Sequence, residues 1–170
     1  MATKSCRVAG APPFNIVKER TIHYEWRNKP EPCTIGGQDC SFKSQIERKW
    51  ALYLQMLLEL QAIDFWGYET TTFEFTERYR LKRQYTPDFE VHETIEHGIK
   101  QKVWHEIKTS LRQTDIRRFK LMAADFPNET MVLVLPCCRK GNQSILRAKA
   151  LKYVARVVYA NPIFKKMGIK

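Results

Sequence analysis

Two β-prone segments on either side of a glycine turn constrain this chain more than any other feature. Tyr85 to Glu93 (YTPDFEVHE) and Lys102 to Thr109 (KVWHEIKT) are rich in aromatic and β-branched residues with partial alternation, which predicts neighbouring strands. Between them, Glu96, His97 and Gly98 can form a three-residue hairpin loop with Gly98 in the left-handed position. That loop pairs Ile95 with Ile99. An unbroken antiparallel register then sets Val91 opposite Val103, Pro87 opposite Ile107 and Asp88 opposite Glu106. Successive side chains point to opposite faces, so the first two pairs form an apolar face and Asp88, Glu106 and Lys108 share the other. The expectation is one face that packs and one that does chemistry. His105 falls on the packing face as a structural histidine, His92 shares the acidic face at a distance, and His97 is a loop residue. Trp104, also on the acidic face, is either covered by a helix or free to stack on a base.

The remaining segments can be arranged around this hairpin. Residues 1–34 are rich in Pro, Lys and Arg and lack periodicity, which predicts an irregular basic arm. From Ser44 to about Ala62, Ile46, Trp50, Leu54, Leu57 and Leu58 recur at helical spacing. Thr70 to Glu77 (TTTFEFTE) predicts a strand leading into the hairpin. Thr114 and Asp115 can cap a helix with Ile116, Phe119, Met122, Ala123 and Phe126 inward, and Pro127 with Asn128 ends it. Thr130 to Leu135 (TMVLVL) is continuously apolar, as a strand covered on both faces would be. A last helix is expected from about Ser144 to Tyr159, with Leu151, Val154 and Val158 on one side and Lys149, Lys152 and Arg156 on another. The fold class is α/β, a central mixed sheet flanked by helices. The expected division is an arm over 1–34, a core over 35–136 and a basic helical extension over 137–170.

With 29 Lys and Arg against 18 acids, the net charge is +11, and the basic residues run through the whole chain. A polyanionic partner is the natural expectation, with a merely basic surface as the plainer alternative. The first twenty residues contain no apolar stretch of signal-peptide type, and no apolar run exceeds the length of a buried strand. The expected location is therefore the cytoplasm, with no membrane partner. Five cysteines form an odd set without CxxC spacing, which suits reduced thiols. A zinc site of Cys33, Cys40, Cys137 and Cys138 is disfavoured because adjacent cysteines seldom both reach one tetrahedral metal.

The acidic pair has a chemical consequence. Two carboxylates brought this close raise each other's pKa unless a cation sits between them, and a hard divalent ion such as Mg²⁺ suits such oxygen ligands. Asp88 and Glu106 would hold it, with the Ile107 carbonyl as an extra ligand. Lys108 could hold a water or stabilise charge building on a phosphate, so phosphodiester hydrolysis is the expected reaction. Each residue also has a plainer role open to it. Glu47 stands three residues after Ser44, as in a helix capping box, and Glu106 and Lys108 could be ordinary strand charges.

Pro87-Asp88, a spacer and Glu106-Ile107-Lys108 resemble the signature of the PD-(D/E)XK nuclease superfamily, whose members share a restriction-endonuclease-like core. Gly37 to Glu47, with Phe42 and Ser44, is similar to small phage-encoded members, among them Holliday-junction-resolving endonucleases. The resemblance spans roughly residues 35–135. It implies Glu47, Asp88, Glu106 and Lys108 as the catalytic set, with Glu47 joining the metal ligands, and Mg²⁺ as cofactor with Mn²⁺ able to substitute. It further implies DNA as substrate, with branched or structured DNA a candidate, and a homodimer if two strands are cut. A phage-encoded chain would work in the host cytoplasm, alongside other phage or transposition proteins. Lys43, Ser44, Arg112, Arg117, Arg118 and Lys120 are the expected DNA contacts near the site, and Lys149, Lys152 and Arg156 form a second basic stripe. Other activities compatible with the resemblance are a restriction-like cutter, a transposase nuclease subunit, a DNA-packaging or head-completion nuclease, and a DNA-binding or assembly module that no longer cuts.

Overall fold

A computed structural model describes residues 32–76, 84–94 and 98–169. Most of the N-terminal arm, the His97 loop and Cys6 lie outside the described residues. The elements are β1 (Cys33–Ile35), β2 (Gln38–Cys40), α1 (Gln45–Glu59), β3 (Ile63–Tyr68), β4 (Phe73–Glu74), β5 (Gln84–Tyr85), β6 (Phe89–Thr94), β7 (Lys100–Ile107), α2 (Gln113–Asp125), β8 (Thr130–Leu135), α3 (Asn142–Ala150), β9 (Arg156–Tyr159) and α4 (Ala160–Met167). Five strands form a central mixed sheet in the order β3-β6-β7-β8-β9. β3, β6 and β7 are antiparallel neighbours, whereas β7, β8 and β9 run parallel. Two small hairpin sheets, β1-β2 and β4-β5, lie outside it.

The β6-β7 register is the one expected: Phe89 pairs with His105, Val91 with Val103 and Thr94 with Lys100. Gly98 takes a φ of +73°, the left-handed conformation that the turn requires and that a Cβ would disfavour. β8 also coincides with its apolar run and is buried from Met131 to Leu135, as a strand bonded on both edges and covered on both faces must be.

Both sheet faces are packed, as a sheet flanked by helices requires, and the acidic residues lie at the end of the second face. On one face α1 and α4 cover Phe89, Val91, Val103, Ile107, Val132 and Val134, with Trp50 against Phe164 at 6.2 Å between ring centres. On the other, α2 brings Ile116, Phe119 and Met122 onto Trp104, Met131 and Leu133. Trp104 is thus covered by a helix, and its Nε1 donates to Glu129 at 2.6 Å. Ala123 is exposed, and Leu121 takes the inward place instead.

Three further expectations are corrected. The strand before the hairpin is β3, not Thr70 to Glu77, where among the described residues only Phe73 and Glu74 are strand and pair with β5. The segment Tyr85 to Glu93 is interrupted at Pro87 and Asp88, since proline has no N–H to give a ladder. The helix expected from Ser144 to Tyr159 stops at Ala150, and Arg156–Tyr159 turns into the fifth strand of the sheet. Val157 and Val158 are β-branched and pair with Leu133 and Val134, so the β ladder prevails over helical spacing. Residues beyond 136 therefore complete the central sheet. Among the described residues no helix is long and apolar enough to cross a membrane.

Candidate active site

The interruption at Pro87 and Asp88 is what builds the site. Asp88 sits just before β6, opposite the end of β7, and its Oδ2 accepts from the Ile107 amide at 2.7 Å. The hydrogen bond fastens the carboxylate to the strand that carries Glu106. Glu106 is 3 % exposed, and its Oε1 pairs with the Lys108 ammonium two residues along. Its Oε2 is buried and has no hydrogen-bond partner among the described residues. Burial and the neighbouring Glu106 charge push Asp88 up to about 8, against the smaller opposing effects of the Ile107 amide and Lys108. Burial alone would lower Lys108, but the Glu106 and Asp88 charges hold it above its ordinary value, so it remains an ammonium.

Glu47 enters from α1. Ser44 caps this helix with φ −150° and ψ 159°, and its Oγ accepts from the Glu47 amide at 3.4 Å. The Ser44 hydroxyl donates to Glu47 Oε1 at 2.6 Å, while Oε2 accepts from the Lys43 amide at 2.9 Å and the Tyr68 hydroxyl at 2.8 Å. The carboxylate therefore reaches back one residue further than a capping box requires. It is buried and near enough to Asp88 to raise that group further. Its oxygens are nevertheless committed to three donors. Among the described residues no three His, Cys, Asp or Glu side chains stand together as a metal cluster, so Glu47 is not drawn into one group with Asp88 and Glu106. Cys33, Cys40, Cys137 and Cys138 are free thiols, and no zinc site forms from them.

Two tyrosines that sequence reasoning passed over complete the surroundings. Tyr68 comes from β3 and holds Glu47; with that strand unrecognised, nothing in the sequence pointed to it. Tyr85 is buried three residues before Asp88, with its hydroxyl beside the Glu106 carboxylate. Its ring stacks on Phe75 at 6.3 Å and 12°, and the Arg118 guanidinium lies 5.6 Å from its centre. Burial and the Glu106 charge push this phenol well up, so it keeps its proton.

No family model, curated protein or solved structure matches this chain. The site therefore rests on its own geometry.

The expected DNA contacts fall at four separate places. Lys43 pairs with Glu69 at the rim, and Ser44 serves the helix cap. Arg112, Arg117 and Lys120 are exposed on or beside α2, which starts five residues after Lys108, and Arg118 reaches the site through Tyr85. Lys149 and Lys152 are exposed at the end of α3. Arg156 does not share their stripe: it lies on β9 and pairs with Glu93, on the sheet face away from Glu106. That pairing is joined by His105, whose Nε2 is 3.4 Å from Glu93 and whose Nδ1 accepts from Trp50 Nε1 at 3.1 Å. His105 is thus structural, as expected, and His92 is hydrogen-bonded to Glu90 at 2.8 Å.

Proposed function

We propose that this chain is a metal-dependent DNA endonuclease of the restriction-endonuclease-like type, acting through Asp88, Glu106, Lys108 and Glu47. One observation carries the reading: a carboxylate pair, Glu106 buried with an unpartnered oxygen and Asp88 half-buried and forced up to about 8, with Lys108 as the ammonium paired directly to Glu106. Such a pair is short of positive charge. Mg²⁺ suits the deficit because it is usually held by one or two carboxylates and keeps several waters, so a three-carboxylate cluster is not required. Asp88 and Glu106 would hold it, with Mn²⁺ as a substitute. When bound, it would polarise a phosphoryl oxygen and lower the pKa of a water.

The chain's own residues supply the remainder. The Ile107 amide fixes Asp88, and Lys108 presents a retained positive charge where charge builds on the phosphate. Glu47, locked by Ser44, Lys43 and Tyr68, adds negative potential beside Asp88 and favours a bound cation. Exposed Arg112, Arg117 and Lys120, with Arg118, offer phosphate contacts near the site, and the net charge of +11 favours a polyanion. Lys149 and Lys152 offer a separate basic surface.

The test is incubation with supercoiled plasmid and with a synthetic four-way junction, each in Mg²⁺ and in EDTA, with wild type and Glu106→Gln. Wild type should cut only in Mg²⁺, and Glu106→Gln should be slower by orders of magnitude. Cutting of the junction alone would select resolution of branched DNA, and plasmid nicking a general or transposition-type cutter. Equal cutting by Glu106→Gln, or none by wild type, would refute the proposal.

A further inference from the structure

The Tyr85 hydroxyl and Glu106 Oε2 are both buried polar atoms without a hydrogen-bond partner among the described residues, and they belong to side chains that lie beside each other. One is a donor and the other an acceptor. A buried donor or acceptor left unsatisfied is costly, and such groups in folded proteins have partners or a functional reason to lack them. Tyr85 cannot easily swing away: Phe75 stacks on one part of its ring, Arg118 lies over it, and the residue is 4 % exposed. Glu106 is held by Lys108 through its other oxygen.

We infer that Tyr85 is a positioning residue for the Glu106 carboxylate, its O–H standing beside Oε2 as the donor available to that oxygen once a cation draws the pair together, and so sets the site's affinity for a divalent cation. The inference rests on the proposed metal site but assigns a role to a residue outside the motif. A hydroxyl behind a ligating carboxylate orients it, and loss of such a partner typically weakens metal binding by about tenfold to a hundredfold. Arg118 gives the same tyrosine a link to the surface. Its guanidinium is only partly buried, so it can meet a DNA phosphate while stacked on the ring.

The experiment is Mn²⁺ titration of the full chain, wild type against Tyr85→Phe, read by loss of the free-ion electron paramagnetic resonance signal, with the metal-free melting temperature of each. The expected result is at least tenfold weaker Mn²⁺ uptake by Tyr85→Phe with an unchanged metal-free melting temperature, since the ring and its packing remain. Affinities within twofold would overturn the role of Tyr85 while leaving the site intact. A Tyr85→Phe chain that melts many degrees lower, or fails to fold, would overturn it too, by making the hydroxyl a requirement of the fold. Wild type that takes up no Mn²⁺ would instead overturn the metal-site proposal itself.

Discussion

The β6-β7 pair carries two partly buried carboxylate clusters, and they are built to opposite rules. On one face Glu93 meets two partners: Arg156 Nη2 donates to its Oε2 at 2.6 Å, and His105 Nε2 stands 3.4 Å from Oε1. Burial alone would raise Glu93, but His105 and Arg156 bring it down to about 2. At the end of the sheet, Lys108 pairs with Glu106 alone, and Asp88 is pushed up to about 8. In the first cluster the carboxylate's charge is balanced by its neighbours. The second lacks a cation, and a protein keeps such an imbalance stable only where something else supplies the charge. The same chemical groups thus separate into a structural ion pair and a candidate site by their balance of charge.

The sharpest way to probe the second cluster short of removing its ligands is Glu47→Gln. A Gln side chain can keep its oxygen toward the Lys43 amide and Tyr68 and donate from its amide to Ser44 Oγ, so the melt should stay within about 1 kcal/mol of wild type. Cleavage should nevertheless fall by orders of magnitude, because the lost charge is part of the field at Asp88. Normal cutting with a normal melt would reduce Glu47 to a helix cap and leave a core of Asp88, Glu106 and Lys108.

The balanced cluster should respond in stability alone. Arg156 is 43 % exposed, so Arg156→Ala should cost only about 1 kcal/mol at neutral pH, read by denaturant unfolding, and leave cleavage unaffected. Glu93 is depressed in the folded chain, so its contribution is present above its unfolded pKa and is lost as pH falls toward about 2. The cost of Arg156→Ala should shrink over that window. A cost independent of pH would mean that packing of the arginine stem, not charge, is what the substitution removes.

The hairpin was legible because alternation leaves a strand little freedom: a one-residue slip would put Val91 and Val103 on the wrong face, and Gly98 closes the turn. Asp88 opposite Glu106 follows from that register, so the central pair is legible in the sequence. The buried surroundings are not. β3 is a short strand, IDFWGY, with a shifted register between Ile63 and Phe65, and the cleaner alternation of TTTFEFTE drew the strand expectation away from it. Tyr68 was lost with it. β9 is four residues long, and Leu151, Val154 and Val158 happen to fall at helical spacing, which hid both the fifth strand and the Arg156–Glu93 pairing. Tyr85 was visible beside Asp88, but its contact with Glu106 depends on the break at Pro87 and the packing of Phe75 and Arg118. Local pattern carries register, and tertiary packing decides which neighbours a site recruits.

If the Asp88–Glu106 pair is short of a cation, the shortage shows in the melting of wild type beside Asp88→Asn. Asp88 is raised from 3.8 to about 8 in the folded chain, so the folded state holds a proton that the unfolded chain has released, and the stability from this group falls as pH rises from about 4 through about 8. Metal-free wild type should therefore lose ground to Asp88→Asn across that range. At pH 8, added Mg²⁺ should raise the wild-type melting temperature and close the gap, since a ligand bound only by the folded state stabilises it, while Asp88→Asn should respond far less. An equal Mg²⁺ response in both proteins, or none in wild type, would contradict the shortage.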